Sequence, residues 1–267
     1  MHLNGQIRFL LRVLVVVAVI TAGKAAAHFL TWEVISLNAL FTGIIAANVF
    51  LMGFLLSGVL SDFKESERLP GELSACLENM AQEVRGIGIT KAEANIGPCL
   101  TRLSQLSNDI LAWFHKKIDT EQLLEGINDL TVQFEALQPW TQGTFVARLK
   151  QEQSNLRRTM TRIETIRETS FVSTGYLLAK TITAMLCLGL VLVNMDPFYE
   201  NLLFAGVISF LLVFLLLLIE DLDNPFGYYE AYSGADVTLK PLEDTAARLA
   251  RIAGAEASAA TPVGART

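Results

Sequence analysis

The residues whose types could do chemistry are few and scattered. His2 is terminal, His28 lies in an apolar run, and His115 heads a His-Lys-Lys stretch; none has a cysteine or carboxylate at metal-ligand spacing. Cys76, Cys99 and Cys187 are odd in number and form no CxxC or Cys/His pattern, which argues against a zinc site or a disulfide framework. There is no nucleophile elbow, phosphate-binding loop, HExxH or dinucleotide fingerprint. The pattern is that of a non-enzyme with no cofactor and no metal. Polar groups inside apolar segments are more informative, because each is costly in hydrocarbon unless it meets a partner or water. They are Lys24 and His28, four residues apart on one helix face, Lys180, and the pair Asn38 and Asn48. Two readings stand: interhelical hydrogen bonding with snorkelling to the interface, or lining of a water-filled path.

The elements that must position these groups are membrane helices. The hydrophobic fraction is 52% and the charged fraction 18%, with a mean hydropathy of +0.41. A helix needs about 20 apolar residues to cross a hydrocarbon core of roughly 30 Å. Residues 35–60, 171–193 and 201–219 qualify, and 9–31 qualifies less strongly because Arg12, Lys24 and His28 interrupt it. That first segment also imitates a secretory signal peptide, although Lys24 directly before the small-residue site argues against cleavage. The fourth crossing exits into Glu220, Asp221 and Asp223 and a tight Asn224-Pro225-Phe226-Gly227.

Basic residues flank the crossings on one side: Arg8 and Arg12, Lys64 and Arg68, then Arg157, Arg158, Arg162 and Arg167, whereas the 194–200 link has none. By the positive-inside rule both termini and the long middle are cytoplasmic, in a multi-pass protein of the cell membrane. The expected domains are a first membrane pair (1–61), a cytoplasmic helical domain (62–170), a second membrane pair (171–219), an acidic turn with a C-terminal helix (220–255) and a disordered small-residue tail (256–267). Within the middle, Leu100, Leu103, Leu106, Ile110 and Phe114 recur at helical spacing, as do Leu123, Ile127, Leu130, Phe134 and Leu137. A last helix at 144–168 carries Phe145, Leu149, Leu156, Ile163 and Ile166. Thr90-Lys91-Ala92-Glu93 has the form of a capping box, breaks are expected at Gly86/Gly88, Gly97-Pro98, Asp119-Thr120 and Pro139, and no strand is expected. The net charge of −6 leaves no footprint for nucleic acid.

The second crossing has a further pattern. Gly43, Ala46, Ala47, Gly53, Ser57 and Gly58 are small, while Phe50 and Phe54 are large, one turn apart, and share a face with Ala46. Small residues permit close helix packing. A ring of such aromatics, one set per subunit, would equally make a hydrophobic constriction that gates by dewetting.

Three motifs, in order, resemble the bestrophin superfamily of ion channels. They are Phe-Leu-Met-Gly-Phe-Leu-Leu (50–56) with Glu-Ser-Glu-Arg-Leu-Pro-Gly-Glu-Leu (65–73), the segment 162–178 leading into a membrane helix, and the acids with Asn-Pro-Phe-Gly within 219–244. The resemblance implies an all-α membrane protein: four transmembrane helices, with a helical cytoplasmic domain inserted between the second and third. It implies a homopentameric ion channel in the lipid bilayer, of the kind known as chloride channels, passing small inorganic ions passively. Phe50, Phe54 and Ala46 would form the pore neck. Glu220, Asp221, Asp223, Asn224, Pro225 and Phe226 would form a cytoplasmic junction coupling to it.

The sequence also departs from the family. Ser-Gly-Val-Leu-Ser-Asp-Phe-Lys-Glu-Ser-Glu-Arg (57–68) stands where many bestrophins carry bulky aromatics. Three carboxylates in the acidic turn, with Tyr228, Tyr229 and Tyr232 beyond, fall short of the six to eight oxygens calcium prefers. The acids therefore read as polar anchors. Two other functions stay open on the residues alone: a non-conducting membrane scaffold or sensor whose cytoplasmic helices bind a protein partner, and a secondary transporter, against which stands the lack of an inverted repeat. Net charge does not reveal which ion would pass.

Overall fold

The computed structural model describes residues 2–168, 173–228 and 236–260. Among them are nine α-helices: α1 (His2–Phe29), α2 (Ala39–Ser66), α3 (Leu69–Thr90), α4 (Gly97–Phe114), α5 (Thr120–Leu137), α6 (Gly143–Glu168), α7 (Ser173–Leu192), α8 (Phe198–Asp223) and α9 (Lys240–Ala260). Four helical stretches are long and apolar enough to cross a membrane, within α1, α2, α7 and α8. The protein is multi-pass. The chain divides into two compact units, 1–64 with 169–236, and 65–168 with 237–267.

In the first unit α8, the most apolar helix, packs on α1 and α7. Val13 of α1 joins Cys187, Val213 and Leu217 in one apolar cluster. Met52, Leu55 and Val59 of α2 join Tyr176, Ala179 and Leu186 of α7 and Leu212 and Ile219 of α8 in another. Two two-residue strands, not expected from the sequence, pair in parallel: β1 (Ile35–Ser36) sets Ile35 opposite Val193 and Ser36 opposite Asn194 of β2 (Val193–Asn194). Strands this short carry no alternation from which to read them. Asn38, expected inside the second crossing, instead precedes it: its Oδ1 accepts from the Phe41 amide at 2.9 Å and caps α2.

The second unit is a helical bundle in which α4 packs on α9 and α5, and α3 on α6 and α9. Every member of the two leucine-rich stripes expected in α4 and α5 is buried. On α6, Leu149, Leu156 and Ile163 are buried too, whereas Phe145 and Ile166 are half-buried. Phe145 lies under the Arg148 guanidinium, 4.4 Å from its ring centre. Asp119 caps α5 by accepting from the Gln122 amide at 2.8 Å, as the expected break there requires.

Two local readings fail. Thr90-Lys91-Ala92-Glu93 starts no helix: Thr90 ends α3, and its hydroxyl donates to the Gly86 carbonyl at 2.9 Å. Gly86 and Gly88 do not break α3 either. A Cβ on Gly88 would lie 2.5 Å from Ile96 Cδ1, so this glycine admits the loop before α4 instead of ending a helix. At the C-terminus α9 runs to Ala260, five residues into the stretch read as a tail; 261–267 lie outside the described residues.

Candidate functional site

The second crossing forms a helix with two unlike sides. Along α2 the exposed positions include Gly43, Ala46, Ala47, Phe50, Gly53, Phe54 and Ser57, a continuous stripe at three- and four-residue spacing. Phe50 is 79% exposed and Phe54 64%, which places both expected aromatics and Ala46 on the stripe. Diametrically opposite, Asn48, Met52, Leu55 and Val59 are buried. Among the described residues no other helix brings its backbone close alongside α2 over any length, and the helix meets α7 and α8 mainly through the side chains of its back face. A helix this apolar, attached along one side, presents the other side to lipid or to further copies of itself.

Around the start of α7 and the end of α8, the acids that interrupt the apolar run find partners. Lys180 Nζ of α7 is 2.5 Å from Glu220 Oε1. The Tyr176 hydroxyl, also on α7, donates to Asp223 Oδ1 at 2.8 Å, and Asp62 of α2 acts electrostatically on the same tyrosine. Helix α8 ends at Asp223 with Asn224 as its cap residue, and the Gly227 amide returns to the Asn224 carbonyl at 3.2 Å. Pro225 is buried and Phe226 fully so, and Asp221 is engaged as well. Thus Lys180, read as a polar group inside the third crossing, serves an ion pair. Tyr229 and Tyr232 lie outside the described residues. No three His, Cys, Asp or Glu side chains come together to hold a metal among the described residues.

A second polar cluster, at the α1–α2 connection, involves a residue that the sequence did not single out. Lys24 Nζ is fully buried, 2.5 Å from Glu33 Oε1, and it also donates to the Val193 carbonyl. His28 Nδ1 lies 2.8 Å from Glu33 Oε2, and its ring stacks on Phe198 at 4.1 Å. Asn201 donates to the same Val193 carbonyl at 3.0 Å. Burial pushes the Glu33 carboxyl up, but hydrogen bonds and charge from Lys24 and His28 together outweigh it, and the group sits below its ordinary value.

The turn that delivers Glu33 explains the geometry. The Trp32 amide bonds the Ala27 carbonyl at 2.9 Å and the Thr31 amide bonds His28 at 3.1 Å, the paired bonds of a Schellman motif. Thr31 occupies the left-handed position at φ 55°, which a β-branched residue adopts only under strain. The chain thereby doubles back so that Glu33 meets Lys24 and His28. Replacing Thr31→Gly should remove the strain and raise stability by about 1 kcal/mol, read as a higher thermal midpoint in detergent.

No family model and no curated protein matches this chain, but solved structures do. The bestrophin homologue of Klebsiella pneumoniae superposes with a TM-score of 0.71 at 17% identity, over 93% of this chain and 98% of that one. A single-substitution variant of the homologue gives 0.72 at 17% identity, over 94% and 97%. Another structure, of a membrane protein, gives 0.68 at 16% identity, over 97% and 100%. The helix order, the four apolar helices and these superpositions agree: the chain has a bestrophin-like fold.

Proposed function

We propose that this chain is one subunit of an oligomeric channel, a homopentamer in keeping with the resemblance, that passes small inorganic ions passively across the cell membrane. The observation that carries the reading is the bare stripe of α2. Several copies arranged with this stripe inward make an axial pore whose narrowest section is ringed by Phe50 and Phe54, with small Ala46 one turn before them. Such a ring conducts or dries according to its radius and polarity, and no chemical step is needed.

The remainder of the assignment follows from this topology. The unit formed by 65–168 and 237–267 lies in the cytoplasm with both termini, since basic residues flank the crossings on that side. The pairs Lys180–Glu220 and Tyr176–Asp223 hold α8 to α7 at the inner membrane surface, so the acidic turn acts as a fixed junction behind the neck. Purified protein in liposomes tests the reading: ion flux well above that of empty vesicles is expected, and none with any of several small anions and cations would overturn it. Uptake against a gradient would instead favour a transporter, and a stable cytoplasmic partner without flux a scaffold.

A further inference from the structure

The neck requires α2 to be held at one rotation, and the apolar contacts of its back face have no directional preference. Met52, Leu55 and Val59 are packed apolar contacts to α7 and α8, and methionine in particular adapts to many shapes. At the same depth the back face carries one amide. Asn48 is 1% exposed and its Nδ2 donates to Thr183 Oγ1 of α7, itself 3% exposed, at 3.1 Å. At 3.6 residues per turn Asn48 lies about half a turn around α2 from the stripe that bears Phe50 and Phe54.

We infer that Asn48, through Thr183, is the positioning residue that fixes the rotation of the neck helix. The inference rests on the proposed pore reading for its consequence, but not for its geometry. Turning α2 by one residue, about 100°, would carry the amide off Thr183 toward lipid or the bare stripe. An amide in hydrocarbon without its partner is penalised far more than a displaced methylene. Asn48 therefore restricts α2 to the one rotation that presents Phe50 and Phe54, a discrimination its apolar neighbours do not supply.

Two adjacent reporter positions read the rotation directly. Gly53 faces open space, so Gly53→Cys introduces a thiol without a clash, whereas Met52 is fully buried. The native thiols Cys76, Cys99 and Cys187 are buried, and burial pushes Cys99 up to about 12. In full-length protein in liposomes, a small charged thiol reagent should modify Gly53→Cys at least about tenfold faster than Met52→Cys, since only the thiolate reacts. With Asn48→Leu added, that preference should fall by about three- to fifteen-fold, the span of one interhelical hydrogen bond in a membrane, and ion flux should change with it. Thr183→Val, nearly isosteric, should reproduce the loss, and the exchange Asn48→Thr with Thr183→Asn should restore it. An unchanged preference in both Asn48→Leu and Thr183→Val would overturn the inference, as would equal reactivity of the two reporters in the parent. Should the parent carry no flux, the pore reading fails alone, because the thiol preference still decides the role of Asn48.

Discussion

Phe50→Ala and Phe54→Ala are each expected to raise ion flux from liposomes by about tenfold, the effect of lowering a barrier by about 1.4 kcal/mol. The physical reason is that a ring of phenyl groups resists wetting, and removing it both widens the constriction and lowers the free energy of a continuous water column. Both side chains are bare in the subunit, at 79% and 64% exposure, and make no part of the apolar clusters that hold the bundle together. Their replacement should therefore leave assembly and thermal stability nearly unchanged. The matched control is Val15→Ala, at 62% exposure on α1, which should leave flux within about twofold because α1 has no place in the proposed pore. Unchanged flux in both phenylalanine variants would remove the neck from α2.

The second large effect belongs to Lys24 and Glu33. Lys24→Met leaves the Glu33 carboxylate buried with His28 as its remaining partner, and should destabilise the protein by about 3–5 kcal/mol. Adding Glu33→Gln should recover part of that loss, since the cost lies in the orphaned charge more than in the missing attraction. The pH dependence follows from the direction of the Glu33 shift. A carboxyl held below its ordinary value of 4.5 contributes stability that is fully present above that value. The contribution is lost as the pH falls through the lower value of the folded protein. Thermal midpoints measured from pH 7 down to pH 3 should drop at the acid end in the parent, and less steeply in the double variant. An equal slope in the two would show that Glu33 is not the group responsible.

Much of this architecture was legible in the residues, for physical reasons that differ from element to element. The four crossings are legible because hydrocarbon demands long, mostly apolar stretches, the first less plainly because Arg12, Lys24 and His28 interrupt it. The stripes of α4 and α5 were equally plain, because one side of each helix must be buried. The face of α2 bearing Ala46, Phe50 and Phe54 followed from helical spacing, and the structure leaves it bare. What the sequence concealed are contacts whose partners are far apart or whose turn is strained. Lys24 and Val193 are 169 positions apart, and the Glu33 that completes the cluster arrives only because Thr31 adopts a left-handed turn. Nothing in local composition marks that position, since glycine is the residue usually found there. Gly88 misled for the opposite reason: a glycine against which the Ile96 side chain packs closely looks, in sequence, like one that ends a helix. Asn48 was visible as a costly polar group in a membrane, but its partner Thr183 had no signal of its own among the small and polar residues of α7.

The proposed pore exists only if α2 turns its bare face toward copies of itself. The most direct measurement is the mass of the protein in mild detergent, by native mass spectrometry or by light scattering corrected for bound detergent. The account predicts a closed assembly of five chains of 29.3 kDa each; a stable monomer, with Phe50 and Phe54 facing only detergent, would contradict it.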